Sequence, residues 1–186
     1  MTGSVIDRLI DDSLNHRLLG QSRDWLTASF DDAQAREAAG QITARPDASS
    51  YHLLMTLRRA APAEYAAIPA DVRARVLTDA LRNTGYLNDW GHLGPGGAHD
   101  GPAAQALLGI GDAALGPLRE LLDDDHPAPL MGSESATIAS MYGYRRSDYA
   151  YRYLRQLRGE EPDFEEDPDA RDVAHERLAE EVGAAG

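Results

Sequence analysis

Residues 102–122 constrain this chain more than any other stretch. Pro102 to Leu108 and Ala113 to Leu122 read as two short helices joined by Gly109, Ile110, Gly111 and Asp112. Gly109 and Gly111 permit the positive φ angles of a tight turn. Pro102 suits a first helical position, and Asp112 suits a cap. Ala104, Leu107, Leu108, Leu115, Leu118, Leu121 and Leu122 then share one apolar interior. Helices this short are marginal alone, so the pair must stack on further helices to bury that face.

The rest of the chain offers those helices. Ser4 caps a helix to about Leu19, with Val5, Ile6, Leu9, Ile10, Leu14 and Leu18 on one stripe and Gly20 at C′. Trp25, Leu26 and Phe30 follow at near-helical spacing. Asp31 and Asp32 open a helix through Ala35, Ala38 and Ala39, which Arg45-Pro46 ends. Ser49-Ser50 start a helix with Leu53, Leu54 and Leu57, ended or kinked at Pro62. Pro69 and Asp71 lead into Val72, Val76, Leu77, Ala80 and Leu81, closed by Gly85. Ser147 caps a helix bearing Tyr149, Ala150, Tyr153, Leu154 and Leu157, and Gly159 closes it. Asp167-Pro168 opens the last, with Ala174, Leu178 and Val182. Alternating apolar-polar runs of useful length are lacking, so strands are not expected. The expectation is an all-α fold: one helical domain over 1–186, a stack of about seven to eight helices. Its parts are N-terminal helices at 1–45, a core at 49–122, a long loop at 123–146 and C-terminal helices at 147–183. A second long loop spans 85–101.

Composition excludes several chemistries. The 186 residues contain no cysteine, which removes disulfides, thiolate catalysis and thiolate zinc sites. All 18 basic residues are arginine, which removes a Schiff-base lysine and a Walker-type phosphate loop. Alanine and arginine richness without lysine is the compositional mark of a GC-rich bacterial genome. A net charge of −13 repels nucleic acid, whose binding rests on phosphate neutralisation, so such a partner is not expected. No apolar run reaches the roughly 18 residues of a membrane span, and no basic-then-apolar leader opens the chain. A cytoplasmic protein with no membrane partner is the expectation.

The segment Ala103–Asp123 resembles a HEAT repeat: an alanine-leucine helix, Gly-Ile-Gly-Asp, Ala-Leu-x-Pro-Leu, and a paired-leucine helix. A broader likeness to uncharacterised bacterial HEAT-like proteins rests on Trp90-Gly91 before this unit and Tyr144-Arg145-Arg146-Ser147-Asp148-Tyr149-Ala150 after it. It spans about 50 to 178. The resemblance implies a helical scaffold, with neighbouring helices stacking as degenerate repeats. It implies no catalytic residues, because HEAT repeats carry none of their own and mostly bind proteins.

Candidate working residues lie in the two long loops. Five of the eight tyrosines and three arginines fall within 132–153, and tyrosine and arginine are favoured at recognition hot spots. Trp90, Tyr142 and Arg145 are the expected ligand contacts, Arg145 as a bidentate anion anchor. If the chain is instead a small enzyme, His92 and Tyr144 would move protons, with Glu134 and Asp148 as their carboxylate partners. His92, His99, Asp89, Asp100 and His126 lack the close spacing of a metal site, so no metal and no cofactor is expected. Gly94-Pro95-Gly96-Gly97 follows no strand and has no basic partner, so it reads as a connection rather than a phosphate cradle. Glu160, Glu161, Asp163, Glu165 and Glu166 read as a solvated acidic loop, available to steer a basic partner.

Two functions follow. The first is an acidic scaffold binding a partner protein, basic in character, in an accessory, immunity or antitoxin role. The alternative is a small enzyme or enzyme subunit, with a small molecule held between loops 85–101 and 123–146. Loops of that length are uncommon unless they work or are disordered.

Overall fold

A computed structural model describes residues 4–19, 24–94, 98–161 and 163–184, leaving aside the side chains of 15–19, 24 and 184. Gly20, the stripe position of Leu18, and Pro95, Gly96 and Gly97 lie outside what is described. The fold is all-α: ten α-helices and one sheet of two residues per strand among the described residues. The chain forms two compact units, residues 1–85 and 86–186.

The first unit is built on α3 (Tyr51–Ala60), whose first seven residues are all buried. A helix buried on every side over its first two turns belongs at a centre. It is surrounded by α1 (Val5–Leu19), α2 (Asp32–Ala44), α4 (Pro62–Ala67) and α5 (Ala70–Asn83). Asp31 begins α2 with a capping box, its carboxylate accepting from the Gln34 amide at 2.8 Å while Gln34 Oε1 accepts from the Asp31 amide at 3.0 Å. Pro62 opens a new helix, as a first-turn proline can. One buried relay joins α1 to α3: the His52 amide donates to Ser13 Oγ at 2.9 Å, and that hydroxyl donates to the Leu9 carbonyl at 2.9 Å.

The second unit begins with a turn at Asn88–Trp90 and a hairpin of β1 (Gly91–His92) and β2 (His99–Asp100). Then come α6 (Pro102–Leu108) and α7 (Leu115–Arg119), the latter preceded by a tighter 3₁₀ turn at Gly111–Ala114. Both α6 and α7 pack on α9 (Arg146–Leu157), and α10 (Pro168–Ala184) packs on α7 and α9. Pro102 sits in the first turn of α6 as expected. Of the two hinge glycines only Gly111 takes a positive φ, +77°; Gly109 is helical at −67°. Asp112 lies inside the 3₁₀ turn rather than at a cap, and makes no capping bond there.

Two further local expectations are corrected. The 123–146 segment contains a helix, α8 (Ser133–Met141), started by Gly132 at φ +105°. Its hydrophobic pattern is weak because only Ala139 is buried, so apolar periodicity did not mark it. The N-cap of α9 is Arg145 rather than Ser147, which is buried within the first turn and donates its amide to the Asp124 carbonyl at 3.0 Å.

Candidate functional site

The N-terminus of α9 assembles the polar centre of the second unit. Asp148 at N3 accepts the Arg145 amide at 2.8 Å, which begins the helix. The same oxygen, Oδ2, receives Arg171 Nη1 at 2.5 Å from α10. Arg171 also donates to the Tyr142 carbonyl at 2.7 Å and stacks over the Phe164 ring at 4.9 Å. Arg145 reaches Asp172 at 2.7 Å and Asp148 Oδ1 at 3.5 Å. His175 lies beside this group, its Nε2 3.5 Å from Asp148 Oδ1. Asp148, Arg171 and His175 are all buried.

These environments set the charges. Burial pushes the Asp148 carboxyl above the ordinary aspartate range, while the Arg145 amide and the Arg171 and Arg145 guanidiniums pull it back. Burial, reinforced by Arg145, lowers His175 to about 4, so its imidazole is neutral at pH 7. Burial raises the Tyr144 hydroxyl, which the Gly94 backbone only partly offsets.

A second layer ties the Trp90 loop to α9. Tyr149 donates to the Gly91 carbonyl at 3.0 Å and Tyr153 to the Trp90 carbonyl at 2.6 Å. Burial raises both phenols, so they are donors throughout the physiological range. Asp100 takes Arg152 at 3.2 Å and Gln156 at 2.8 Å. The two long segments meet here as well. Asn88 exchanges two hydrogen bonds with the Met131 backbone, at 2.8 and 2.7 Å, and the Leu87 amide donates to the Pro129 carbonyl at 3.0 Å.

The structure thus distributes the sequence candidates over three places. Arg145 and Asp148 meet in one ion-pair network, with Tyr142 contributing its carbonyl to it. Tyr144 packs behind, edge-on to Phe164 at 5.3 Å and to Tyr149 at 6.4 Å, while Trp90 is core, 1% exposed. His92 and Glu134 stand apart from these. His92 stacks on His99 at 4.7 Å and lies 3.4 Å from Ser135 Oγ; Glu134 is exposed on the first turn of α8. Burial and His99 lower the His92 pKa against the pull of Glu134. Among the described residues the group with metal-ligand spacing is Asp124, Asp125 and His126, mostly exposed, rather than the His92–His99 pair.

Arg171 and His175 were missed by sequence reasoning. They sit four residues apart on α10, so they share a helix face, and that i, i+4 spacing beside Ala174 and Leu178 was the available signal. Asp148, Arg171 and His175 also line a small pocket between α9, the 160–167 segment and α10. No family model, no curated protein and no solved structure matches the chain.

The charge of the chain is concentrated in this unit. Residues 1–85 carry 11 carboxylates and 10 arginines, whereas residues 86–186 carry 20 carboxylates and eight arginines. Among the described residues, arginines 145, 152, 155, 158, 171 and 177 stand in ion pairs, and Arg146 feels the charge of Asp124. Glu161, Asp163, Glu165, Glu166, Asp167 and Asp169 are exposed and, among the described residues, form no ion pair. No described helix is long and apolar enough to cross a membrane.

Proposed function

We propose that the chain is an acidic, HEAT-like scaffold that binds a basic partner protein through its second unit, in an accessory, immunity or antitoxin role. The observation that carries this reading is the charge imbalance of residues 86–186, with its arginines largely committed internally and a run of carboxylates left to solvent. Such a field raises the encounter rate with a basic surface and disfavours acidic ones. The alternative of a small-molecule enzyme draws less support from the geometry. Tyr144 is buried with a raised pKa, Asp148 is engaged by two guanidiniums, and His92 stands apart from both.

The test is affinity capture from cell extract with the wild-type chain and with a variant carrying Glu161→Gln, Asp163→Asn, Glu165→Gln and Glu166→Gln. A basic protein retained by the wild type at low salt, released at high salt and lost in the variant is expected. Identical retention by both chains at every salt concentration overturns the reading.

A further inference from the structure

The hairpin carries a stacked pair of histidines that the ion-pair network does not use. His92 of β1 and His99 of β2 are register partners in the antiparallel ladder, so their side chains share one face of the ribbon. Their ring centroids lie 4.7 Å apart, with the planes 25° from parallel. His92 is half-buried, and its Nε2 lies 3.4 Å from Ser135 Oγ in the first turn of α8. The elements joined by this contact are held unequally. From α9, Tyr149 and Tyr153 donate to the Gly91 and Trp90 carbonyls at the start of the hairpin. α8 buries only Ala139 in its nine residues, and a short helix that buries so little is easily displaced.

The titratable groups around the pair come from every neighbouring element. His99 acts on His92 from β2, and Glu134 acts on it from α8. From α9 come the Tyr149 phenol, which burial keeps protonated, and Arg152, which Asp100 of β2 matches. Asp89 lies in the turn that enters β1, and α6 contributes no charged residue. The N-terminal end of α8 adds its positive dipole. Glu134 can match one added proton, but a second would sit on a ring stacked against the first. A neutral Nε2 can accept the Ser135 hydroxyl, and a protonated one cannot.

We propose that this pair is an acid-sensitive latch: neutral, His92 and His99 seat the start of α8 against the hairpin, and protonation of both rings releases it. Burial and His99 together hold His92 below the ordinary imidazole value, against the opposing pull of Glu134. His92 therefore binds its proton less readily with α8 seated than with α8 released. Seating weakens as pH falls through the histidine range. The latch stands on this geometry alone and does not depend on the partner reading.

Amide exchange of the full chain, corrected for intrinsic rates, tests this at about pH 7 and about pH 5, on either side of the histidine range. On acidification α8 should lose about tenfold more protection than α9. That excess should vanish in His99→Gln, a change at an exposed position. Glu134→Gln removes the opposing carboxylate and should deepen the loss. In NMR titrations of the imidazole ring protons, His92 should take up its proton at higher pH in His99→Gln than in the wild type. An equal fall in α8, α9 and α10 would report the His175 response of the whole unit and would overturn the latch. An α8 loss that survives His99→Gln, or no α8 loss at all, overturns it as well.

Discussion

A Cβ built on Gly94 would lie 2.6 Å from the Tyr144 hydroxyl and 3.3 Å from the Phe164 ring. A buried tyrosine hydroxyl cannot swing away as an exposed side chain would, so Gly94→Ala should cost about 1–3 kcal/mol by overpacking. Tyr144→Phe removes the closest atom. In that background the same Gly94→Ala change should cost measurably less, as read by urea unfolding of the four-member cycle. Additive costs would show that the hydroxyl is not the obstacle. Nothing in the sequence distinguished Gly94 from the other glycines of its loop, because the crowding atoms come from residues 144 and 164.

His175 gives the second prediction at this scale. Its pKa falls from an unfolded value near 6.5 to about 4, so between those values the unfolded chain holds more protons than the native one. Stability therefore rises with pH across that window and is level, for this group, above and below it. The depression corresponds to about 3 kcal/mol at most. Asp148, whose carboxyl is raised, acts in the opposite direction. The difference between the wild type and His175→Gln isolates the histidine, and the wild type should lose up to about 3 kcal/mol more stability than the variant as pH falls from 6.5 to 4. Parallel curves would show that the imidazole is not protected.

At the scale of elements, α9 is the strut on which the second unit hangs. Its N-terminus holds Asp148 against Arg171 of α10, and its middle holds Tyr149, Arg152, Tyr153 and Gln156 against the Trp90 hairpin. Asp148→Ala would leave two guanidiniums facing a buried gap, a loss of about 3–5 kcal/mol. Amide exchange should report it first in α10. A loss below about 1 kcal/mol would mean that the arginines find solvent instead. Arg152→Met should cost less, about 1–2 kcal/mol, and should loosen the hairpin rather than α10.

This strut was legible in the sequence as far as its apolar stripe, since Tyr149, Tyr153 and Leu154 recur at helical spacing and are all buried. The partners of its polar residues were not legible. Asp100 and Arg171 lie 52 and 23 positions from the α9 residues they pair with, and periodicity carries no information at that range. α8 escaped for another reason. Apart from the exposed Met141, its exposed residues are polar or small, so its helical state shows in neither an apolar stripe nor a strong cap. The pair at 102–122 is helical over Pro102–Leu108 and Leu115–Arg119, but its second half begins as a tighter 3₁₀ turn, because Gly111 turns the chain and the bonds close one residue sooner, and it ends three residues short of Leu122.

At the scale of the whole chain, the uneven charge makes the two units respond differently to ionic strength. A body with 20 carboxylates against eight arginines is destabilised by its own field, whereas 11 against 10 is nearly neutral. Salt at physiological strength screens exposed charges more than about 8 Å apart, which relieves long-range repulsion but scarcely touches the buried Asp148–Arg171 pair. Raising salt should therefore increase amide-exchange protection across 86–184 and leave 5–83 nearly unchanged, as hydrogen-exchange mass spectrometry resolved by peptide would show. A basic partner would do the same work with fixed charges. Its binding should protect the second unit in proportion to the carboxylates it covers, and that protection should shrink as salt replaces it. Equal salt responses in the two units would mean that the excess carboxylates are too dispersed to act as a field, and the electrostatic basis of the partner reading would go with them.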